Sequence, residues 1–260
     1  MLECVVNVSE GRNRDVLVRL ATSVADDVLD VHTDHDHNRT VFTLIGEDAP
    51  RRLARTAVEI MDVNEHSGVH PRLGVVDVVP FVPLEGSTWA DAVTARNEFA
   101  QWADQELHVP CFLYGDERTL PDIRRGAWNQ LQPDFGPRTP HSTAGAMCVG
   151  ARLPLIAYNL WLDGVDLEST KKIATSVRTS TIRTLGLQVG GFTQVSINLV
   201  NPEVSNPADA FDAVQQFADI HHAELVGLLP RDVLFSIPEG RWENLDLAEE
   251  KTIEWRLENR

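Results

Sequence analysis

The chain has 260 residues and a formal net charge of −16. That length holds one large domain or two compact ones, each with its own core. The charge excludes nucleic acid and anionic membrane surfaces as partners, because both need clustered cations; a small anionic substrate stays possible where arginines gather locally.

No apolar stretch is long enough to span a bilayer, since the richest run, 153–162, contains Pro154 and Asn159. The opening MLECVVNVSEG lacks the basic region and long apolar run of a signal peptide. Cys4, Cys111 and Cys148 are odd in number, far apart and form no C-x-x-C pair. Reduced thiols in a cytoplasmic protein are the expectation.

Residues 3–8 form a short apolar run closed by Ser9-Glu10-Gly11, a strand and a turn. Val16, Leu20, Val24 and Val28 recur every four residues as a helix stripe. Strands follow at 28–31 and 39–45. Asp48 and Pro50 mark a helix start, with Leu53, Ala57, Ile60 and Met61 on its buried face, and 75–82 reads as a strand ended by Pro83. A helix over 88–102 opens on Thr88 and Asp91, which suit a capping box, and a strand covers 110–114. The Pro/Gly-rich stretch 132–145 has little periodicity and reads as a linker or an active-site loop between two subdomains.

The same order then returns. Residues 155–162 are a strand and 166–178 a helix. Strands at 182–189 and 193–200 are split by Gly190-Gly191, a hairpin signal. Asn206-Pro207 opens a helix carrying Ala210, Val214, Phe217 and Ala218, and 225–229 is the last strand. The acidic end from Glu239 reads as a surface helix with Ile253, Trp255 and Leu257. Both halves therefore follow β-α-β-β-α-β. The fold class expected is α/β (α+β), two ferredoxin-like units, over residues 1–150 and 151–260.

His70 lies in His66-Ser67-Gly68-Val69-His70-Pro71-Arg72-Leu73-Gly74, a turn before a strand. A histidine exposed there can take or give a proton near neutral pH; from this residue alone, a surface or packing histidine is the favoured reading. His32-Thr33-Asp34-His35-Asp36-His37 is rich in metal-ligand types, with His35 and His37 on one face if the strand continues, but it matches no known ligand spacing, so a solvated polar loop is the favoured reading. Asn7–Arg12 joins a strand to a helix start, where exposed N–H groups can hold an anion or Ser9 can simply cap the helix. Gln194, Ser196 and Asn198 share a strand face, lining a groove or merely exposed.

Taken together these segments resemble the glutamate formiminotransferase family. The family opens on C-V-P-N-F-S-E-G, here Cys4 to Gly11. It has N-R-T-V, here Asn38-Arg39-Thr40-Val41, and G-E-H-P-R-M-G, here Gly68 to Gly74. D-V-C-P-F matches Asp77 to Phe81, Y-L-Y-G matches Phe112 to Gly115, and P-D-F-G-P is Pro133 to Pro137. G-A-R is Gly150-Ala151-Arg152, and Q-V-S-x-N-L is Gln194 to Leu199. The order is collinear from residue 3 to about 200.

The resemblance implies two subdomains packed side by side around a folate groove, commonly in a homodimer. It implies transfer of a formimino group from N-formimino-L-glutamate to N5 of tetrahydrofolate, a co-substrate, in histidine degradation. The catalytic histidine falls on His70 and the folate-contacting loop on Gly136 to Gly145, which includes Pro137. Both ligands carry carboxylates, so Arg39, Arg72, Arg138 and Arg152 are candidates to bind them. Asn7 and Asn38 are candidates to fix polar atoms. No metal is required, because the amidinium already activates the carbon. Three positions depart from the pattern: Val69 replaces a glutamate, His32 the second aspartate of D-V-D, and Val6 a proline. Formyl transfer, folate binding without turnover, and a metal-dependent hydrolase using His32, His35, Asp36 and His37 are the competing readings.

Overall fold

The computed structural model describes residues 1–68 and 71–260. The assignment of His70 and the departure at Val69 lie outside the described residues. The chain forms two compact units, Met1–Arg152 and Leu153–Arg260.

The first unit begins with β1 (Leu2–Val8), α1 (Arg14–Ser23), β2 (Val28–Asp34), β3 (Arg39–Ile45), α2 (Asp48–Ile60) and β4 (Val76–Pro83). Their strands lie in the order β2-β3-β1-β4, all antiparallel. This is the split βαβ arrangement. It is then widened by α3 (Trp89–Trp102), β5 (Cys111–Tyr114), α4 (Leu120–Gly126) and β6 (Met147–Ala151). β6 runs parallel to β4, and β5 parallel to β6 at the edge. β1 and β4 are buried almost throughout, as strands covered on both faces must be.

The second unit repeats the core pattern. It contains β7 (Ile156–Leu162), α5 (Leu167–Ser176), β8 (Ile182–Val189), β9 (Phe192–Leu199), α6 (Pro207–Gln215) and β10 (Ile220–Val226). The order β10-β7-β9-β8 matches that of the first four strands of the first unit. The two short helices α7 (Arg231–Phe235) and α8 (Ile253–Glu258) complete it. The expected fold class, mixed α and β in two units of this type, is the one observed.

Four local readings change. First, α1 stops at Ser23 instead of running to Val28. The turn tightens as Val24 and Asp27 bond carbonyls only three residues back, and the Asp27 carboxylate pairs with Arg52 at 2.5 Å. Second, the 132–145 stretch is not a linker, because it lies wholly inside the first unit. There Asp134 Oδ2 accepts from the Leu113 N–H at 2.7 Å, and Cys111 N–H bonds the Phe135 carbonyl.

Third, α6 ends at Gln215, leaving Phe217 exposed, and the last strand is 220–226 rather than 225–229. Ala223 and Leu225 alternate with His222 and Glu224 in a half-buried pattern, and Leu229 instead bonds the segment around Lys251 and Ile253. Fourth, the acidic end is not a plain surface helix. Leu245, Leu247 and Ile253 are buried, and Leu245 and Leu247 enter the core of the second unit. The Tyr158 hydroxyl donates to the Leu245 carbonyl at 2.9 Å. All three cysteines are free and buried, and burial pushes the Cys111 and Cys148 thiols up, away from the reactive thiolate.

Gly145 secures the loop before β6. It holds φ +72°, and a Cβ there would lie 2.2 Å from the Leu73 carbonyl oxygen. Gly145→Ala is therefore expected to lower stability by about 2 kcal/mol, from the left-handed backbone and the clash together. A urea midpoint equal to that of the wild type would contradict this.

Candidate functional site

Three parts of the chain meet at one end of the first sheet: the end of β1, the start of β3, and residues 66–68 with 71–77. Asn38 is the joint. It holds φ +50°, a conformation asparagine tolerates better than most residues. Its Oδ1 accepts from Gly11 N–H at 2.8 Å, and its Nδ2 donates to the Ser67 carbonyl at 2.9 Å. His66 Nε2 lies 2.8 Å from the Asn38 carbonyl. From the other side the Ser9 hydroxyl donates to the Gly74 carbonyl at 2.8 Å, and Leu73 N–H donates to Asp77 Oδ1 at 2.7 Å. The segment that carries the H-P-R motif is thus fastened on both flanks.

A narrow cleft at this point is lined by Ser9, His37, Asn38, Arg39, Arg72 and Asp77. Arg39 donates to Asn7 Oδ1, and Arg72 donates to the Gly68 carbonyl at 2.8 Å. Arg124, on α4, grips both oxygens of the buried Asp77. Burial lowers the Arg39 pKa to about 10, against the pull of Asp77, so the guanidinium stays charged at neutral pH. Burial also draws Arg72 down. Two guanidiniums, Arg39 and Arg72, thus line the cleft beside the Asp77–Arg124 pair, within an acidic chain. Such a cluster favours a carboxylate ligand.

Of the residues expected from sequence, Asn7, Asn38, Arg39 and Arg72 come together here. Gly145 belongs to the same sheet end, forming bridges with Gly74 and His141. Gly136 packs on Pro110 ahead of β5, and Pro137 and Arg138 beside it are exposed. Arg152 follows β6 and its N–H bonds the Phe81 carbonyl, at the opposite end of β4 from Asp77. It stands apart from the cluster.

Ser9 does not cap α1; Asn13 does, accepting from the N–H groups of Asp15 and Val16. The N–H groups of residues 11–13 are not open to an anion either, since Glu10 Oε1 accepts all three at 2.7–2.9 Å. His35 and His37 do not share a face. The strand ends at Asp34, His35 is exposed in the turn and His37 is buried against Asp34. Among the described residues, no group of three or more His, Cys, Asp or Glu is placed to hold a metal ion. Asp77, Arg124 and His37 enter the cluster without being expected there; for Arg124 the available signal is the Thr119/Asp122 capping box that starts α4.

Burial opposes ionisation of Asp34, but hydrogen bonds from the His37 ring and backbone outweigh it and hold its pKa below the usual value. A carboxyl lowered in the folded state contributes stability above its unfolded pKa of about 4, and that contribution is lost as pH falls through the folded value. The stability gap between the wild type and Asp34→Asn is expected to be full above about pH 4 and to close below it. Urea unfolding at stepped pH measures the gap; one that stays constant from pH 6 into acid would refute the prediction.

The sequence profile of the formiminotransferase domain, N-terminal subdomain, matches residues 1–152. The chain is 34% identical to a glutamate formimidoyltransferase of Streptococcus pyogenes serotype M1, over 100% of this chain and 98% of that one. It is 31% identical to a glutamate formimidoyltransferase of Thermoplasma acidophilum, over 99% and 97% respectively. A formimidoyltransferase-cyclodeaminase of Mus musculus is 32% identical over 90% of this chain and 51% of its own length. With the profile spanning more than half of the residues and relatives matching end to end, the chain belongs to the formiminotransferase family.

Proposed function

We propose that this chain is a transferase that moves the formimino group of N-formimino-L-glutamate to N5 of tetrahydrofolate, its co-substrate, in histidine degradation. The observation that carries the reading is the convergence of Asn7, Asn38, Arg39 and Arg72 at the anchored flanks 66–68 and 71–74 in a chain matched end to end by glutamate formimidoyltransferases.

The amidinium carbon of the donor is attacked by the N5 lone pair. The C–N5 bond forms, the π electrons move onto nitrogen, and N5 gives up its proton. The intermediate then expels the glutamate nitrogen, which leaves with the electrons of the broken C–N bond and gains a proton. His70 is assigned to this proton traffic on the match of its motif; an imidazole titrating near neutral pH suits both directions. Arg39 and Arg72 are assigned to the carboxylates of donor and folate. The loop holding Gly136, Pro137, Arg138 and Gly145, and Arg152 at the far sheet end, are assigned to folate on the same motif match. Residues 1–150 then form the N-terminal-type subdomain and 151–260 the C-terminal-type one.

We further infer a cytoplasmic homodimer. Three free, buried thiols suit a reducing compartment, and no helix among the described residues is long and apolar enough to cross a membrane. Sedimentation of the full chain tests the dimer.

The deciding experiment offers the purified protein tetrahydrofolate with either N-formimino- or N-formylglutamate and follows folate product and released glutamate. Turnover with the formimino donor is expected. Turnover with the formyl donor alone, or tight folate binding with no turnover of either, would overturn the assignment.

A further inference from the structure

The cleft holds a carboxylate–imidazole pair that the scheme above leaves unused. β2 ends at Asp34, and the turn 35–38 brings His37 back so that its Nδ1 lies 2.5 Å from Asp34 Oδ2. Asp34 Oδ1 accepts from the backbone N–H groups of Asp36 and His37, both at 2.8 Å. Both carboxylate oxygens are thereby committed, and the aspartate is fixed. His37 is only 7% exposed, yet it lines the cleft with Ser9, Asn38, Arg39, Arg72 and Asp77. A carboxylate on Nδ1 sets the tautomer and ring orientation and makes Nε2 the nitrogen for chemistry. Asp34 also lies two residues from His32, on the same face of β2, where the family pattern carries an acidic residue.

We propose that His37, oriented by Asp34, is a second proton-handling residue: it protonates the glutamate nitrogen as that nitrogen leaves, while His70 takes the proton from N5. The inference rests on the functional reading above. The reaction has two proton events on two different nitrogens. One imidazole serves both only by holding the first proton and turning to the second nitrogen. Two imidazoles remove that constraint. In the second event the C–N bond breaks with its electron pair going to the leaving nitrogen, and the proton comes from His37 Nε2. The ring is left neutral, Asp34 stays ionised, and solvent restores the proton before the next cycle. Asp34 is a positioning residue, because it acts through His37.

Among the described residues, the charged and titratable groups around the ring and its turn include Asp34 from β2, Arg39 from β3, Arg12 after β1, which bonds the His35 and Asp36 carbonyls, His66, which bonds the Asn38 carbonyl, and Arg72 and Asp77 from the segment leading into and along β4. Arg124 is paired to Asp77, and His35 and Asp36 share the turn. None of the arginines can donate a proton at neutral pH, His35 is exposed in the turn and His66 is bound to the Asn38 carbonyl; His37 is the imidazole among the residues lining the cleft.

The test compares wild type, His37→Gln and Asp34→Asn as full chains, with N-formimino-L-glutamate and tetrahydrofolate, across pH 5.5–9.5. Glutamine keeps the bulk and one hydrogen bond to Asp34. His37→Gln is expected to lose about 100-fold in kcat, the low end of general-acid effects, with KM for both substrates within about threefold. A proton donor works in its protonated form, so the alkaline limb of the kcat profile is expected to disappear in His37→Gln while the acid limb stays. Asp34→Asn is expected to lose kcat to a smaller degree. An active wild type with an unchanged limb and kcat in His37→Gln overturns this inference alone, as does a folded His37→Gln in which only KM rises. A wild type without turnover overturns the functional reading and this inference with it.

Discussion

His70→Ala is expected to retain tetrahydrofolate binding within a few-fold while kcat falls by about 10²- to 10⁴-fold. That corresponds to roughly 3–5 kcal/mol of transition-state stabilisation. The argument is about protons. Attack leaves N5 with a proton it must lose; in the H-P-R segment Arg72 is a permanent cation and the His66 ring is tied through Nε2 to the Asn38 carbonyl, so the assignment falls on His70. The flanks of the segment are anchored without the His70 side chain: Asn38 to Ser67, Arg72 to Gly68, Asp77 to Leu73 and Ser9 to Gly74. Alanine therefore removes the imidazole and leaves the binding groups in place. Steady-state kinetics with a parallel folate titration separates the two effects. A variant that turned over at the wild-type rate would end the assignment, and one that lost folate binding in step with kcat would recast His70 as a binding residue.

The sequence reading and the structure agree where the signals are local. The Thr/Val/Phe/Ile content of β3 bounds it at 39–45, and Thr88 caps α3 through the capping box with Asp91. The hairpin at Gly190-Gly191 joins β8 to β9. The repeated β-α-β-β-α-β order is legible because each element shows its own periodicity. β6 is not, since Met-Cys-Val-Gly-Ala is short and carries little strand preference; it becomes a strand by being clasped between β4 and β5.

The site follows the same division. Asn7, Asn38, Arg39 and Arg72 are legible as motif residues. The Asp77–Arg124 pair spans 47 positions, and no local pattern joins two such residues. His37 reads from sequence as a possible metal ligand because its distinguishing feature, a carboxylate on Nδ1, depends on a turn that folds the chain back. Arg152, from the same motif set, follows β6 at the opposite end of β4 from Asp77, a separation that the motif string does not show.

Asp77→Asn is expected to cost about 3 kcal/mol of folding stability, toward the low end for breaking a buried ion pair. Asp77 is 3% exposed, and Arg124 is partly covered, with its side chain 19% exposed. Removing the carboxylate charge leaves a guanidinium on α4 facing the core with only an amide to pair with, and solvent offsets part of that loss. The reciprocal change, Arg124→Met, strands an ionised carboxylate that is more deeply buried, so it should cost at least as much. The double variant replaces the pair with neutral groups, and its loss is expected to be smaller than the sum of the two singles, because the second change no longer strands a charge. Urea unfolding of all four proteins gives the cycle directly. Additive losses would mean that the pair contributes nothing as a pair. The same variant touches function, because Asp77 Oδ1 also accepts from Leu73 N–H and so pins the C-terminal flank of the H-P-R segment. The amide introduced by Asp77→Asn can still accept that bond through its own oxygen, so this variant should keep measurable turnover at temperatures where it stays folded. Asp77→Ala, which loses both the charge and the acceptor, should fall further in kcat than in stability. Equal kcat values for the two folded variants would show that the Leu73 bond has no bearing on the chemistry.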